Sequence, residues 1–355
     1  MRFVKILGWL TLVIVLLACS VSSPLQEQRN SAKLKDVKTW LYSFGDLSEY
    51  STITRLANSD YDMLVLDYLP SVSGDEEYPM SDVINTFHEN GKLVLAYLAI
   101  GDAEAYRTYW QQGWEVGNPK WIIAPDPGGW EDNYVVSYWD PGWQSLWLGK
   151  GLFIKRGGYL REVLQVGFDG VYLDWVEGYS DDSVLAAAER DQVDPIEEMV
   201  TWVGRISDLV KKECKDCVVV AQNAAELVEN DRYVLYIDAL AQEHVWFDGG
   251  LEEGLQGDCP LPRKEADAKT QEYYDSLSPA CQEEYDLDPY GTLHYSSEEY
   301  LYYLNLAQLR GLPVFTVDYA LEPENIAWVY QTARDMGFIP FVSNRDLDTF
   351  PEAVP

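Results

Sequence analysis

In the segment Phe168-Asp169-Gly170-Val171-Tyr172-Leu173-Asp174, residues 170–174 form an apolar run of strand length that begins with glycine and ends on a carboxylate. Seven further apolar runs of strand length surround it in the chain, at residues 40–44, 63–68, 93–99, 218–222, 234–241, 313–318 and 338–342. Stretches of helical character separate these runs, and eight strands that alternate with helices are typical of an α/β chain folded as a (β/α)8 TIM barrel. An open, doubly wound sheet is the alternative, although no glycine-rich phosphate loop follows any of the runs.

The segments between the strands carry helix signals. One of them has apolar residues at the three- and four-residue spacing of a buried helix face: Ile196, Met199, Val200, Val203, Ile206 and Val210. Another begins at a capping box, Ser296 with Glu299, and ends at Gly311. The polar, cysteine-bearing stretch 247–295 interrupts the alternation. We therefore expect one barrel domain at residues 37–350, with a long loop insertion at 247–295 over one barrel face.

The N-terminus predicts export and lipidation. Arg2 and Lys5 precede an apolar stretch, residues 6–17, that is too short for the roughly 30 Å of a bilayer core. The following Ala18-Cys19 resembles a bacterial lipobox, in which cleavage before the cysteine leaves its thiol to carry lipid. An ordinary signal peptide is the alternative. We expect a signal peptide at residues 1–18, a lipidated tether at 19–36, and an extracytoplasmic protein that contacts the membrane only through its lipid.

The charge balance excludes several classes of partner. The 355-residue chain has 59 Asp and Glu against 26 Lys and Arg, a formal charge of −33, and only three histidines. Removal of residues 1–18 takes away two cations and leaves −35. A negative surface repels nucleic acid and anionic membranes, whereas it attracts a cationic polymer. Solubility alone is an equally good explanation of the overall charge.

Four cysteines remain once Cys19 is assigned to lipid. Cys214 and Cys217 form a C-x-x-C between a helix and a strand, while Cys259 and Cys281 lie in the insertion. Outside the cytoplasm an even number of cysteines favours disulfides, most simply between these local pairs. A zinc site built from all four is the alternative. The pattern of a thioredoxin-like redox fold does not surround the C-x-x-C.

Carboxylates and aromatic side chains concentrate at the carboxyl ends of the predicted strands, where TIM-barrel active sites lie. The candidate site residues there are Tyr42, Asp67, Tyr68, Tyr97, Asp102, Glu104, Tyr172, Asp174, Trp175, Glu177, Asn223, Glu243, Asp318 and Tyr319. Lys and Arg are absent from these strand ends. So many acids cannot all stay ionised, which requires a protonated carboxyl, a metal or a cationic substrate. One protonated acid beside an ionised carboxylate is the working pair of a glycosidase. Any single acid other than Asp174 and Glu243 could instead cap a helix or turn.

Three segments together resemble glycoside hydrolase family 114: residues 168–174, residues 97–104 (YLAIGDAE) and residues 138–143 (YWDPGW). These enzymes are endo-α-1,4-polygalactosaminidases, once mislabelled as relatives of cysteinyl-tRNA synthetase. The resemblance covers about residues 40–342 and implies a barrel that hydrolyses amine-bearing galactosamine polymers with an Asp and a Glu. Asp174 matches the aspartate that closes the family's strand motif. Trp139 and Asp140, in the third segment, are expected to contact substrate.

The second catalytic residue follows from its position. Glu243 stands at the end of the sixth predicted strand, and Glu226 is the competing residue. With Asp174 as nucleophile, Glu243 as acid and base and no cofactor, we expect a monomeric enzyme that retains anomeric configuration. A metal hydrolase is disfavoured because only His244 lies near the barrel mouth, where we expect it to support the site residues or to be a satisfied core residue rather than to bind a metal. A glycan-binding surface protein without catalysis is the remaining alternative.

Overall fold

The computed structural model describes residues 32–149, 157–250, 255–289 and 291–349. Eight parallel strands form one sheet in chain order. They are β1 (Trp40–Ser43), β2 (Met63–Leu66), β3 (Leu93–Ala99), β4 (Gly170–Asp174), β5 (Val218–Gln222), β6 (Ala239–Glu243), β7 (Val314–Tyr319) and β8 (Ile339–Ser343). The sheet curls until β1 lies against β8, where Trp40 Nε1 donates to the Ile339 carbonyl at 2.9 Å. The predicted TIM barrel is confirmed.

Twelve α-helices are found in the described parts of the chain, and most cover the outside of the barrel. They are α1 (Tyr50–Ala57), α2 (Leu69–Ser73), α3 (Met80–Glu89), α4 (Pro141–Leu148), α5 (Tyr159–Gln165), α6 (Asp182–Asp191), α7 (Pro195–Glu213), α8 (Asp231–Tyr236), α9 (Gln271–Ser276), α10 (Pro279–Leu287), α11 (Ser297–Leu309) and α12 (Pro323–Asp335). The predicted capping box of Ser296 and Glu299 opens α11. Within the described ranges, no helix combines the length and the apolar character that a membrane crossing needs.

The centre of the barrel is closely packed. A Cβ on Gly170 would lie 2.1 Å from the Val218 carbonyl oxygen, so only glycine lets β4 and β5 approach as they do. Inside the barrel the Trp40 ring packs against Tyr172 at 5.8 Å and Phe315 at 5.2 Å between ring centroids. These buried rings fill the lumen, so the barrel is a packed core that is open only at its mouth.

One predicted strand was wrong in part. Residues 234–236 end helix α8, and β6 begins only at Ala239. The Asn230 side chain accepts a hydrogen bond from the Arg232 N–H and caps this helix. A short apolar run fits a buried helix face as well as a strand, so the sequence pattern alone could not separate them. The other seven strands lie within two residues of their predicted bounds.

Two excursions decorate the mouth of the barrel. After β3 the chain forms a three-stranded antiparallel sheet, Asp102–Glu104, Asn133–Val136 and Ile122–Pro125, which the sequence patterns did not predict. The predicted insertion after β6 contains α9 and α10 around a small apolar cluster of its own. The Cys259–Cys281 disulfide lies in that cluster, and the Cys214–Cys217 disulfide follows α7. Both predicted disulfides are therefore present.

The N-terminal predictions fall mostly outside the described residues. The signal peptide at 1–18, the lipidation site Cys19 and most of the tether lie there. Residues Ala32–Asp36, the last of the predicted tether, form a 3₁₀ helix. Leu34 is buried in the main core, and Lys33 Nζ lies 2.6 Å from the Asp169 carboxylate. This end of the tether is thus part of the folded domain.

Candidate active site

A cavity of about 610 Å³ opens at the carboxyl ends of the barrel strands. The predicted site residues that line it are Tyr42, Asp67, Tyr97, Glu104, Asp174, Trp175, Glu177, Glu243 and Tyr319. Its wall also contains residues from both excursions and from the segment after β8. The barrel and its decorations together therefore build one acidic, aromatic cleft.

Asp174 is the last residue of β4 and lies at the floor of the cavity. Its Oδ2 accepts a hydrogen bond of 2.7 Å from the Tyr97 hydroxyl on β3. Its own carbonyl accepts the Ile100 N–H at 2.9 Å, which ties the ends of β3 and β4 together. The next residue, Gly101, must be small, because a Cβ there would lie 2.4 Å from the Trp175 carbonyl oxygen.

Glu243 is the last residue of β6, and side chains from the ends of the two neighbouring strands hold its carboxylate. Tyr319 at the end of β7 donates to Oε1, and Gln222 at the end of β5 donates to Oε2. Asn223 Nδ2 also donates to Oε2 at 3.2 Å, while Asn223 Oδ1 accepts the Glu243 N–H at 3.1 Å. Glu177 shares the same Asn223 amide at 3.0 Å. These contacts fix Glu243 in one orientation toward the cavity.

Three adjacent strands end in unusual backbone. Trp175 after β4, Asn223 after β5 and His244 after β6 have φ values of 58°, 60° and 54°. Residues other than glycine rarely occupy this left-handed region, which costs about 1–2 kcal/mol per residue. Such conformations cluster at functional sites, where the surrounding structure over-determines them. Here each one turns the chain sharply beside a carboxylate that faces the cavity.

A buried arginine reaches the site from the excursion after β3. Arg107 donates from Nε to Glu104 at 2.6 Å and forms an ion pair with Asp67. It is only 3% exposed, although it lines the cavity. The strand ends themselves carry no Lys or Arg, and Arg107 supplies a cation to them from three residues beyond Glu104. The planar guanidinium has N–H donors on more than one side, so Arg107 can bind two carboxylates at once.

Three acids at the cavity or buried beneath it favour the neutral state. Burial, followed by the charge of Glu243, raises the pKa of Asp174 to about 7. Burial and the nearby Asp174 likewise raise the pKa of Glu177 to about 8. Burial and Glu104 raise the pKa of Asp102 well above its usual range. A protonated carboxyl was one of the three expected ways to relieve the repulsion among so many acids. The raised pKa values favour such a carboxyl, and the Arg107 cation relieves the repulsion further.

His244 lies at the cavity in contact with a carboxylate and a tyrosine ring. Its Nδ1 lies 2.7 Å from the Asp248 carboxylate, and its ring lies against Tyr319 at 4.9 Å between centroids. Burial works against the protonated imidazole, but Asp248 raises the pKa of His244 to about 9. His244 lines the cavity next to Glu243. The Asp248 carboxylate therefore favours the protonated form of His244 beside Glu243.

Other predicted site residues lie beneath or away from the cavity. Tyr172 is fully buried under Tyr42, and Asp318 accepts the N–H groups of Trp246 and Phe247 at 2.6 and 2.9 Å. Asp102 is also fully buried and accepts a hydrogen bond from Asn133 at 3.2 Å. These residues support the floor and walls of the cavity.

Three predicted site residues lie outside the cavity lining and have structural contacts instead. Tyr68 is buried against Tyr159, outside the cavity lining. Asp140 caps α4 by accepting the Gly142 N–H at 2.7 Å, which is the helix-capping alternative noted above. Trp139 donates its indole N–H to Asp191 at 3.0 Å, also away from the cavity. The third family-like segment thus begins a helix instead of forming the cavity wall.

The competing glutamate lies away from this cavity. Glu226 is exposed, accepts a hydrogen bond from Tyr179 and does not line the cavity. Among the residues that the structure describes, no three His, Cys, Asp or Glu side chains gather in a way that could hold a metal ion.

Sequence reasoning missed several lining residues, notably Arg107, Gln222, Trp130 and Arg345. Gln222 could have been found, because it ends a predicted strand as Glu243 does. Glu104 and Arg107 also stand at the three-residue spacing of an ion pair. Trp130 and Arg345 had no such signal, because they come from loops 215 residues apart that meet only in the fold, with the guanidinium 5.0 Å from the indole centroid.

Comparison with known proteins identifies the family. Residues 22–354 match the sequence profile of glycoside-hydrolase family GH114. The chain belongs to family GH114. This glycoside hydrolase is also similar to an uncharacterized protein of Deinococcus radiodurans, with 29% identity over 331 residues that cover 92% of this chain and 87% of that protein. The enzyme class predicted from the sequence is confirmed.

Two solved structures share the fold of this GH114 enzyme. The glycoside hydrolase domain of PelA from Pseudomonas aeruginosa superposes with a TM-score of 0.56 at 14% identity, over 89% of this chain and 98% of that chain. Ega3 of Aspergillus fumigatus, solved in complex with galactosamine, gives a TM-score of 0.53 at 12% identity, over 88% and 93% of the two chains. At these identities the likeness concerns the barrel architecture.

Proposed function

We propose that this GH114 enzyme hydrolyses an α-1,4-linked, galactosamine-containing polysaccharide with Asp174 and Glu243 as its catalytic pair. The observation that carries the proposal is the position of these two carboxyls at the ends of β4 and β6, in one cavity and within electrostatic reach of each other. Each carboxylate accepts a hydrogen bond from a tyrosine hydroxyl: Tyr97 donates to Asp174, and Tyr319 donates to Glu243. Paired carboxyls beside a sugar-binding cleft are the chemistry of glycoside hydrolysis.

The reaction proceeds in two steps with net retention. Asp174 attacks the anomeric carbon while that carbon's bond to the glycosidic oxygen breaks, and Glu243 gives its proton to the departing oxygen. The product of this step is a glycosyl ester on Asp174. Glu243, now ionised, takes a proton from a water molecule whose oxygen attacks the same carbon and releases Asp174.

The ionisation of the two carboxyls supports a proton shared between them, which must lie on Glu243 when Asp174 attacks. Because burial and Glu243 raise the pKa of Asp174, the pair holds on to one proton well above the usual range of carboxylic acids. One proton shared by two carboxyls is what the first step requires. Glu243 is preferred to Glu226 because only Glu243 lines the cavity.

The cavity wall and the comparisons support the substrate class. Tyr42, Tyr97, Trp175 and Tyr319 offer aromatic surface on which the C–H faces of sugar rings pack. Acidic side chains suit protonated amines, and the chain as a whole carries a charge of −33. The related fold of Ega3 was solved with galactosamine.

We further propose that the mature enzyme is a monomer anchored outside the cytoplasm by lipid on Cys19. The lipobox-like Leu16-Leu17-Ala18-Cys19 supports this location. The two disulfides support it as well, since such bonds persist mainly in oxidising compartments.

The test is release of new reducing ends from α-1,4-polygalactosamine by protein that lacks residues 1–19, with the fully N-acetylated polymer in parallel. Asp174→Asn and Glu243→Gln should each lower kcat by at least about a thousandfold, because each removes one step's essential group. Glu226→Gln is the matched control and should keep full activity. If the Glu243→Gln variant were about as active as the wild type, Glu243 would not be the catalytic acid and another residue would have that role. A folded wild type that cleaves neither polymer would refute the proposed substrate.

A further inference from the structure

A tryptophan and an arginine meet across the rim of the catalytic cavity. Trp130 lies in the loop of the hairpin formed by Ile122–Pro125 and Asn133–Val136, within the excursion after β3. Arg345 follows β8 by two residues, and its guanidinium carbon lies 5.0 Å from the centroid of the Trp130 ring. Both side chains line the cavity, and we call their contact the clasp.

The clasp crosses the mouth above the ends of two strands. Around the barrel, β1 and β2 separate β8 from β3, so the hairpin leans across them to reach the segment after β8. Phe44 and Asp67, which directly follow β1 and β2, line the cavity at this crossing. Trp130 also borders a smaller pocket together with Trp175 from the end of β4 and Asp288 from the insertion. The hairpin loop therefore covers part of the cleft.

The two halves of the clasp are held differently. The Arg345 N–H donates to the Gln256 carbonyl at 3.0 Å, and a Cβ on Gly249 would lie 2.9 Å from Arg345 Cβ, so this segment is tightly packed. Within the described ranges Arg345 forms no ion pair, and the indole is what its guanidinium contacts. Trp130 is 53% exposed and follows Gly129, which has a φ of 78° and open space where a Cβ would lie. The hairpin loop is therefore the half that can move.

The contact between the two side chains is easily broken. A cation–π contact at an exposed site shifts an equilibrium only about two- to fivefold. Such a contact keeps a loop over a cleft for most of the time and still lets it lift when substrate arrives. Loops that cover active sites open and close in this way during turnover.

We infer that the clasp controls how a polysaccharide chain reaches the carboxyl pair, an inference that rests on the proposed function. The interior of a long chain extends past the cleft on both sides, so it enters only when the hairpin lifts from Arg345. A short oligosaccharide has a free end and slides in beneath the clasp. Trp130 and Arg345 therefore act as a pair that favours short chains and chain ends over internal bonds.

The test is a double-mutant cycle on substrate preference. For Arg345→Gln, Trp130→Leu and the double variant, kcat/KM is measured on long α-1,4-polygalactosamine and on the α-1,4-linked galactosamine tetramer. Each single substitution should raise the polymer-to-tetramer ratio of kcat/KM about two- to fivefold. The double variant should raise it no further, because either change alone breaks the contact.

The matched control is another arginine that lies against a tryptophan. Arg263 is exposed outside the cavity lining, and its guanidinium carbon lies 4.6 Å from the centroid of the Trp328 ring. Arg263→Gln makes the same change of charge and also removes a cation–π contact. It should leave the polymer-to-tetramer ratio unchanged.

Hydrogen exchange followed by mass spectrometry tests the clasp without any substrate. It reports the opening of the hairpin loop, in which the Trp130 N–H donates to Asp126 at 3.1 Å. Arg345→Gln should speed exchange in the peptide that contains Trp130 about two- to fivefold, whereas Arg263→Gln should not. If Arg345→Gln does not fold, Trp130→Leu at the exposed loop replaces it in both measurements.

Other results would overturn the inference. Losses of kcat/KM on both substrates that multiply in the double variant would make the two side chains separate contacts to sugar. An unchanged ratio from an active enzyme would show that the contact does not control entry, and unchanged exchange would show that it does not hold the hairpin. If the wild type cleaves neither substrate, the proposed reaction is refuted, while the exchange rates still decide whether Arg345 holds the hairpin over the cleft.

Discussion

The Tyr97 hydroxyl donates a hydrogen bond of 2.7 Å to Asp174 Oδ2, from the adjacent strand of the barrel. The bond favours the ionised carboxylate, whereas burial and Glu243 favour the protonated one. Opposing influences of this kind set when the residue is ready to act as a nucleophile. Tyr97 is therefore a positioning residue that also tunes the charge of Asp174.

Tyr97→Phe should lower kcat about tenfold, which corresponds to one lost hydrogen bond. Because that bond lowers the pKa of Asp174, its removal should also shift the pH–activity profile to higher pH. The measurement is kcat against pH on the reducing-end assay. Tyr134→Phe, which changes a tyrosine outside the cavity lining, is the control. An unshifted profile with reduced kcat would contradict the tuning role.

Asn223 combines a left-handed backbone with hydrogen bonds to Glu177 and Glu243, and two substitutions separate these roles. Asn223→Gly should fold with nearly unchanged stability, since glycine tolerates φ of 60°, but lose activity. Asn223→Ala should lose the same activity and a further 1–2 kcal/mol or so of stability. Thermal melting and kcat of the two variants decide this. Equal melting temperatures would argue against backbone strain at this position.

Stability should fall as the pH rises from about 6.5 to 9, because of His244. Its folded pKa of about 9 lies above the unfolded value of 6.5, so the native state binds more protons across that interval. The contribution is complete below pH 6.5, amounts to at most about 3 kcal/mol and disappears as pH passes 9. The double variant His244→Gln with Asp248→Asn removes both buried charges and should flatten this part of the melting-temperature profile. A profile unchanged by the double variant would contradict the prediction.

The raised carboxyl pKa values act in the same direction at lower pH. Asp174, with a folded pKa of about 7 against 3.8 unfolded, is protonated more readily in the native state. Between these values the native state again binds more protons, so stability declines with rising pH there too. Asp174→Asn should be more stable than wild type at pH 8, while the two proteins should be closer at pH 4. Equal stabilities at both pH values would contradict this linkage.

The Cys259–Cys281 disulfide should matter for both stability and substrate affinity. It closes a loop with a sequence separation of 22 residues, for which chain entropy predicts roughly 3 kcal/mol. The insertion also supplies Glu284 and Asp288 to the cavity wall, so loosening it should raise KM. Replacing both cysteines by serine should lower the melting temperature and raise KM. The Cys214–Cys217 pair, with a separation of three, is the comparison and should leave KM unchanged.

The stereochemistry of the first product tests the two-step mechanism. Proton NMR of a fresh digest should show the new reducing end in the α configuration before mutarotation, because two inversions at one carbon give retention. An initial β product would require a single displacement by water, with Asp174 as a base instead of a nucleophile.

Much of the fold could be read from local pattern. Alternating strands and helices predicted the barrel, and the strand ends predicted Asp174 and Glu243, because parallel strands place their carboxyl ends on one face. Residues 234–236 were misassigned because apolar residues in a short run suit either a strand or a helix. Asp140 was misplaced for a related reason, since the carboxylate that caps a helix looks the same in sequence as one that binds substrate.

The sequence by itself therefore determined the barrel, the disulfide pairs and the two carboxyls at the strand ends, all of which depend on periodicity or on position along one strand. Only the tertiary structure decided the ionisation of those carboxyls, because burial and the distance to other charges set it. The tertiary structure also brought Arg107 to Asp67, and Trp130 to Arg345, from loops far apart in the chain. Long-range loop contacts follow from the packing of the whole chain, and no local pattern records them.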